Sequence, residues 1–162
     1  MTHHDDPEKI LLKLKDAAER ADTSALDQGL LEWERVREED WANVEISDGF
    51  SVRHHGLSPK MRALHVPMNA AANHGHREVA ARLLRKGCEV PVVSVRHVVH
   101  HKHWDLLQLF IDSGWDINSP LEGPKTNSSP IMRHVLASHR QMHLLTAPTE
   151  ISSGTLNKLA DA

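Results

Sequence analysis

Two stretches of this chain, residues 67–91 and 94–118, carry one pattern with a constant offset of 27 residues. In the first, the small pair Ala71 and Ala72 precedes Gly75-His76. A stripe of Val79, Ala80, Leu83 and Leu84 follows, and Gly87 closes the unit. In the second, Val98 and Val99 replace the alanines, Leu106, Leu107, Phe110 and Ile111 form the stripe, and Gly114 closes it. Each half reads as a short helix, a turn and a second helix that a left-handed glycine can end. Self-similarity at a fixed period marks a repeat architecture, in which each unit buries its apolar face only against its neighbours. An all-α stack of helix pairs follows.

The flanks are read against that pattern. Residues 8–37 predict an antiparallel helix pair: Ile10, Leu11, Leu14, Ala17 and Ala18 recur at helical spacing, Asp22-Thr23-Ser24 supplies cap chemistry, and Leu26, Leu30, Trp33 and Val36 line the second helix. Residues 38–66, with Glu38-Glu39-Asp40, Asp48-Gly49 and His54-His55-Gly56, lack any period and read as an irregular loop. The units are then 67–93 and 94–129, the latter ending in a loop rich in Pro, Gly, Ser and Asn. Residues 130–145 resemble a decayed third unit in either of two registers, and 146–162 read as a polar tail.

Composition narrows the partners. Aromatic residues are 4% and tyrosine is absent, so the core must come from aliphatic side chains, which suits packed helices better than a β-sandwich. With 19 Lys and Arg against 22 Asp and Glu, the net charge of −3 gives no electrostatic reason to seek nucleic acid or an anionic membrane. A single cysteine cannot form an internal disulfide, which fits a reducing intracellular compartment. The polar start Met1-Thr-His-His-Asp-Asp-Pro does not read as a secretion signal. No apolar run reaches the ~20 residues that span a bilayer. The expectation is an intracellular, non-secreted monomer.

Residues 67–118 resemble the ankyrin repeat, and specifically divergent fungal-type ankyrin proteins. The family pattern Thr-Pro-Leu-His-x-Ala-Ala-x-x-Gly-His-x-x-Val-Val-x-x-Leu-Leu-x-x-Gly-Ala-x-Val-Asn is met by Pro67, Ala71, Ala72, Gly75, His76, Val79, Leu83, Leu84, Gly87 and Val90. Val99, Leu106, Leu107, Gly114, Asp116, Ile117 and Asn118 meet it in the second unit. The helix pair at 8–37 is similar to a degenerate capping repeat. The departures are Val66 and Val93 for the opening Thr, Ser94 for Pro, Lys102 for the turn glycine, and a spacing of 27 instead of about 33. The resemblance therefore implies an ankyrin-like α-solenoid whose β-hairpin finger, between Val90 and Ser94, is shortened. It further implies protein binding through the first helices. On that basis Asn73, His74, His100 and His101, with Val92 and Val93 of the clipped finger, are the candidate partner-binding residues.

The chemistry-bearing residues give no stronger reading. Among 14 histidines the densest group is His97, His100, His101 and His103. The rival function is a histidine-dependent metal-binding protein or enzyme, but adjacent His100 and His101 diverge by about 100° on a helix, so the four do not converge as zinc ligands without further help. Cys88 sits at a small-residue packing position, and no nucleophile elbow, zinc-protease helix or phosphate loop is present. Trp33 reads as core, Trp41 as either a buried plug or an exposed anchor, and Trp104 and Trp115 as covers for one helix's ends. The chain is expected to be a non-enzymatic protein–protein interaction module without a cofactor; a second alternative is a truncated remnant of a longer array. Protonating the histidines would swing the charge strongly positive, so binding to an acidic partner is expected to strengthen below about pH 6.

Overall fold

The computed structural model describes residues 6–46 and 56–116, and among them every regular element is helical. Helix α1 (Pro7–Glu19) starts where Asp6 accepts a hydrogen bond from the Glu8 amide and Pro7 fills a position that needs no donor. Helix α2 (Thr23–Arg35) starts in the same way, with the Asp22 carboxylate accepting from the Ala25 amide at 2.9 Å. The two pack closely at Gly29, where a Cβ would come within 2.8 Å of Leu14 Cδ2.

Helices α4 (His65–His74) and α5 (Arg77–Arg85) form the next pair, and α6 (Val92–His100) and α7 (Trp104–Asp112) the last. The starts of α4 and α6 are 27 residues apart, as are those of α5 and α7. The turns inside the three pairs share one backbone. Gly75 and Lys102 have φ of 74° and 60°, and Ala21, two periods before Gly75, has φ 55°. Each turn is closed by the same 2.9 Å bond to the fifth carbonyl back: Asp22 N–H to Ala17, His76 N–H to Ala71, and His103 N–H to Val98. The alanine at 21 and the lysine at 102 thus accept the left-handed conformation that glycine adopts without strain.

Helices α1, α4 and α6 lie side by side in one layer, and α2, α5 and α7 in a second. Equivalent residues fill the space between the layers: Leu14, Met68 and Val95 from the first helices, Leu26, Ala80 and Leu107 from the second, all fully buried. Each pair covers its neighbour's apolar face, so the core runs along the stack.

The described parts of the stretch 38–66, residues 38–46 and 56–66, are more ordered than its composition predicts. Glu38–Trp41 is a 3-10 turn, and Pro59–Ala63 is a short helix, α3, capped by Ser58. Trp41 is a fully buried plug, which resolves its alternative. Lys60 anchors the segment: its ammonium donates to the Glu34 and Val36 carbonyls at 3.0 and 2.6 Å and lies 5.0 Å over the Trp33 ring, while Trp33 Nε1 donates to the Lys60 carbonyl. These contacts satisfy carbonyls orphaned at the end of α2. Such order comes from tertiary contacts, which no local pattern announces.

The expected finger also needs correction. No strand occurs among the described residues; Pro91 precedes α6, and Val92 and Val93 are its first helical residues. The connection from α5 is a tight turn in which Gly87 has φ 88° and the Cys88 amide donates to the Leu83 carbonyl. The Trp115 amide repeats that bond to Phe110 after Gly114, whose φ is 96°. The segments 130–145 and 146–162 lie outside the described residues.

Candidate recognition edge

The turns inside the helix pairs line one edge of the stack, and histidines concentrate there. His74 and His76 flank Gly75, and one period later His101 and His103 flank Lys102. Ring centroids are 5.7 Å apart and the rings roughly parallel within both pairs. His101 also meets His100 edge-on at 4.8 Å and stacks on His97 at 6.4 Å.

The inner members of these pairs have a structural task. His76 Nε2 lies 3.0 Å from the Glu19 carbonyl, at the end of α1. His103 Nε2 stands likewise, more loosely at 3.4 Å, to the Asn73 carbonyl near the end of α4. A carbonyl only accepts, so each Nε2 carries the hydrogen and satisfies a helix-end acceptor of the preceding unit. The His103 ring also closes over Gly75, where a Cβ would meet its Nδ1 at 2.7 Å. Gly75 is therefore required twice, by its backbone and by the space above it.

The outer members face solvent. His74, His100, His101 and Lys102 are exposed, and Asn73 is half-buried. The Asn73 side-chain oxygen accepts from His101 Nε2 at 3.1 Å, joining α4 to the end of α6. Of the six predicted binding residues, the structure therefore brings together Asn73, His100 and His101, and places His74 on the same edge. Val92 and Val93 are elsewhere: they begin α6 while His100 ends it, about 12 Å along a helix of nine residues. Half-buried and at the opposite end of that helix, they do not join this site. Sequence reasoning overlooked the equivalence of the two His-x-His turns and the charge of Lys102 between the second pair, although the offset of 27 was there to find them.

Electrostatics separates the buried from the open groups. Burial, then the neighbouring His101 and His100, holds His97 below the ordinary histidine value. Burial, aided by Glu89, pushes the Cys88 thiol up to about 12, so it carries no thiolate near neutral pH. Its Sγ–H donates to the Glu89 carbonyl. Among the described residues no three His, Cys, Asp or Glu side chains are arranged to hold a metal ion. A concavity of about 460 Å³ lies between the turns after α5 and α7, lined by Leu84, Cys88, Val90 and Trp115 among others. Among the described residues no helix is long and apolar enough to cross a membrane. Comparison with protein-family models, curated proteins and solved structures finds no match for this chain.

Proposed function

We propose that this chain is a non-catalytic protein–protein interaction module built on an ankyrin-like stack, working inside the cell without a cofactor. The layered helix pairs, their 27-residue offset and the left-handed turns support the repeat reading. The observation that carries the recognition reading is the edge itself. Two successive units place Asn73, His74, His100 and His101 on one side, with the exposed His101 imidazole bridging the seam between α4 and the end of α6. Surfaces assembled from adjacent repeats are how stacked folds make extended contacts with partners. A lone buried thiol is consistent with a reducing compartment.

The test is capture of partners from the native cell, with identification by mass spectrometry, comparing the natural chain with Asn73→Ala/His100→Ala/His101→Ala. These side chains are exposed or half-buried, so the variant should keep its helical circular dichroism. A partner retained by the natural chain and lost by the variant supports the module. A partner set identical in both removes this edge from recognition.

A further inference from the structure

Resting on that reading, we propose that the edge formed by His74, His100, His101 and Lys102 docks an extended acidic peptide segment of the partner, gripped when the imidazoles are protonated. A strip that crosses from one helix pair to the next fits a peptide better than a single anion. Within it His100 and His101 stand edge-on at 4.8 Å, close enough to share one carboxylate. The next carboxylate on the same face of an extended strand lies two residues on, about 6.6–6.8 Å away. Adjacent helices in a layer are about 8–10 Å apart, so the strip can continue from the end of α6 to His74 at the end of α4.

Among the described residues, none of His74, His97, His100, His101 and His103 forms an ion pair with a carboxylate. Most acids on the neighbouring helices are committed elsewhere, and Asp105 is the exposed carboxylate closest in sequence to the turn. Asp16 pairs with Arg20 and Glu19 with Lys15 on α1; Asp22 caps α2; Glu78 on α5 pairs with Arg82 and Arg85. Helix α7 offers Asp105 near the turn and Asp112 at its far end, the latter accepting from Gln108. Other charged or titratable groups around α6, among the described residues, include Arg77 beyond the His76 turn, Glu89 before the start of α6, Arg96 on α6 itself, and His65, buried at the other end of α4. Protonated rings this close repel one another, and Lys102 adds a permanent charge. Carboxylates from outside relieve that repulsion, so binding takes up protons and strengthens as pH falls through the histidine range. His76 and His103, bonded to carbonyls, position the turns and leave the outer rings to the ligand.

The experiment uses the full chain and a fluorescein-labelled ten-residue peptide in which glutamate alternates with serine. Anisotropy is read at fixed ionic strength at about pH 5.5 and about pH 8. Binding should be roughly tenfold tighter at the lower pH. His100→Gln/His101→Gln should lose that gain, while His54→Gln/His55→Gln, a histidine pair elsewhere in the sequence, should keep it. His100→Arg/His101→Arg should bind at the higher pH as well as at the lower, a rescue that a purely structural role would not produce. Equal affinity at both pH values, or the same loss from both glutamine variants, overturns the proposal. So does tighter binding of an oligothymidylate of equal charge. If a native partner is captured, is lost in the alanine variant, and the peptide titration is flat, the acidic ligand fails while the interaction module stands.

Discussion

The pairs α4–α5 and α6–α7 share a backbone and differ in what holds them. Helix α5 is tied to α2 by ion pairs, Arg82 to Asp27 and Lys86 to Glu34, besides its buried Val79, Ala80 and Leu83. Helix α7 buries Leu106, Leu107 and Phe110, and among the described residues no ion pair joins it to α5. The first helices differ in bulk: Ala71 and Ala72 in one, Val98 and Val99 in the other, all buried. The turns differ in strain, with Gly75 at φ 74° and Lys102 at φ 60°. What the copies keep is therefore geometry and apolarity at the shared positions. Charge, bulk and strain are particular to each unit.

The largest expected effect tests the coupling between the pairs. Phe110→Ala removes the largest buried side chain of α7 and should cost about 3–5 kcal/mol; Leu83→Ala, in the middle unit, about 2–5 kcal/mol. Phe110 serves the last described pair, so hydrogen-exchange protection should fall chiefly in α6–α7. Leu83→Ala should lower protection in all three pairs, because the middle unit supports both neighbours. Equal, global losses from both variants would show one undivided cooperative unit.

The turns should respond in opposite directions. Gly75→Ala imposes a left-handed alanine, costing about 1–2 kcal/mol, and also pushes its Cβ into His103. Lys102→Gly relieves the same conformational strain, offset by about 0.4–1 kcal/mol of added unfolded-chain entropy, and should be neutral to mildly stabilising. Urea melts of both variants check the pair, and destabilisation by Lys102→Gly would mean the lysine makes a contact that outweighs its strain.

The smallest effect concerns pH. His97 is held below the ordinary histidine value of 6.5, chiefly by burial. The unfolded chain therefore binds its proton more readily than the folded one. Stability from this group is present above about pH 6.5 and is lost as pH falls through the lower folded value. Its NMR titration should lie below 6.5. In His100→Gln/His101→Gln it should move up only part of the way, since burial is the larger cause. Full recovery would make the neighbouring rings dominant.

Much of the fold was legible because burial repeats with the period of the helix pairs. The stripe Val79, Leu83 and the stop at Gly87 could be read directly, and so could the strained turn at Lys102, from the place of its glycine counterpart. The anchoring of residues 56–64 could not. Lys60 finds the end of α2 across some two dozen residues, a contact without local periodicity. Val92 and Val93 misled because the family resemblance assigned them to a finger, whereas Pro91 and the buried Ser94 and Val95 start a helix there. Of the candidate edge, the exposed histidines were legible as a cluster; the bond from His101 to Asn73 was not.

By itself, the sequence determined the helical class, the 27-residue offset and the residues that face the core, because apolar spacing and turn-forming positions act locally. Tertiary structure alone decided which histidines work inside and which face outward. His76 and His103 turn to carbonyls of the preceding unit, while His74, His100 and His101 are exposed, His101 with its Nε2 bonded to the Asn73 side chain. A histidine's neighbours depend on how units stack, and that distance is set by packing between helices far apart in the chain.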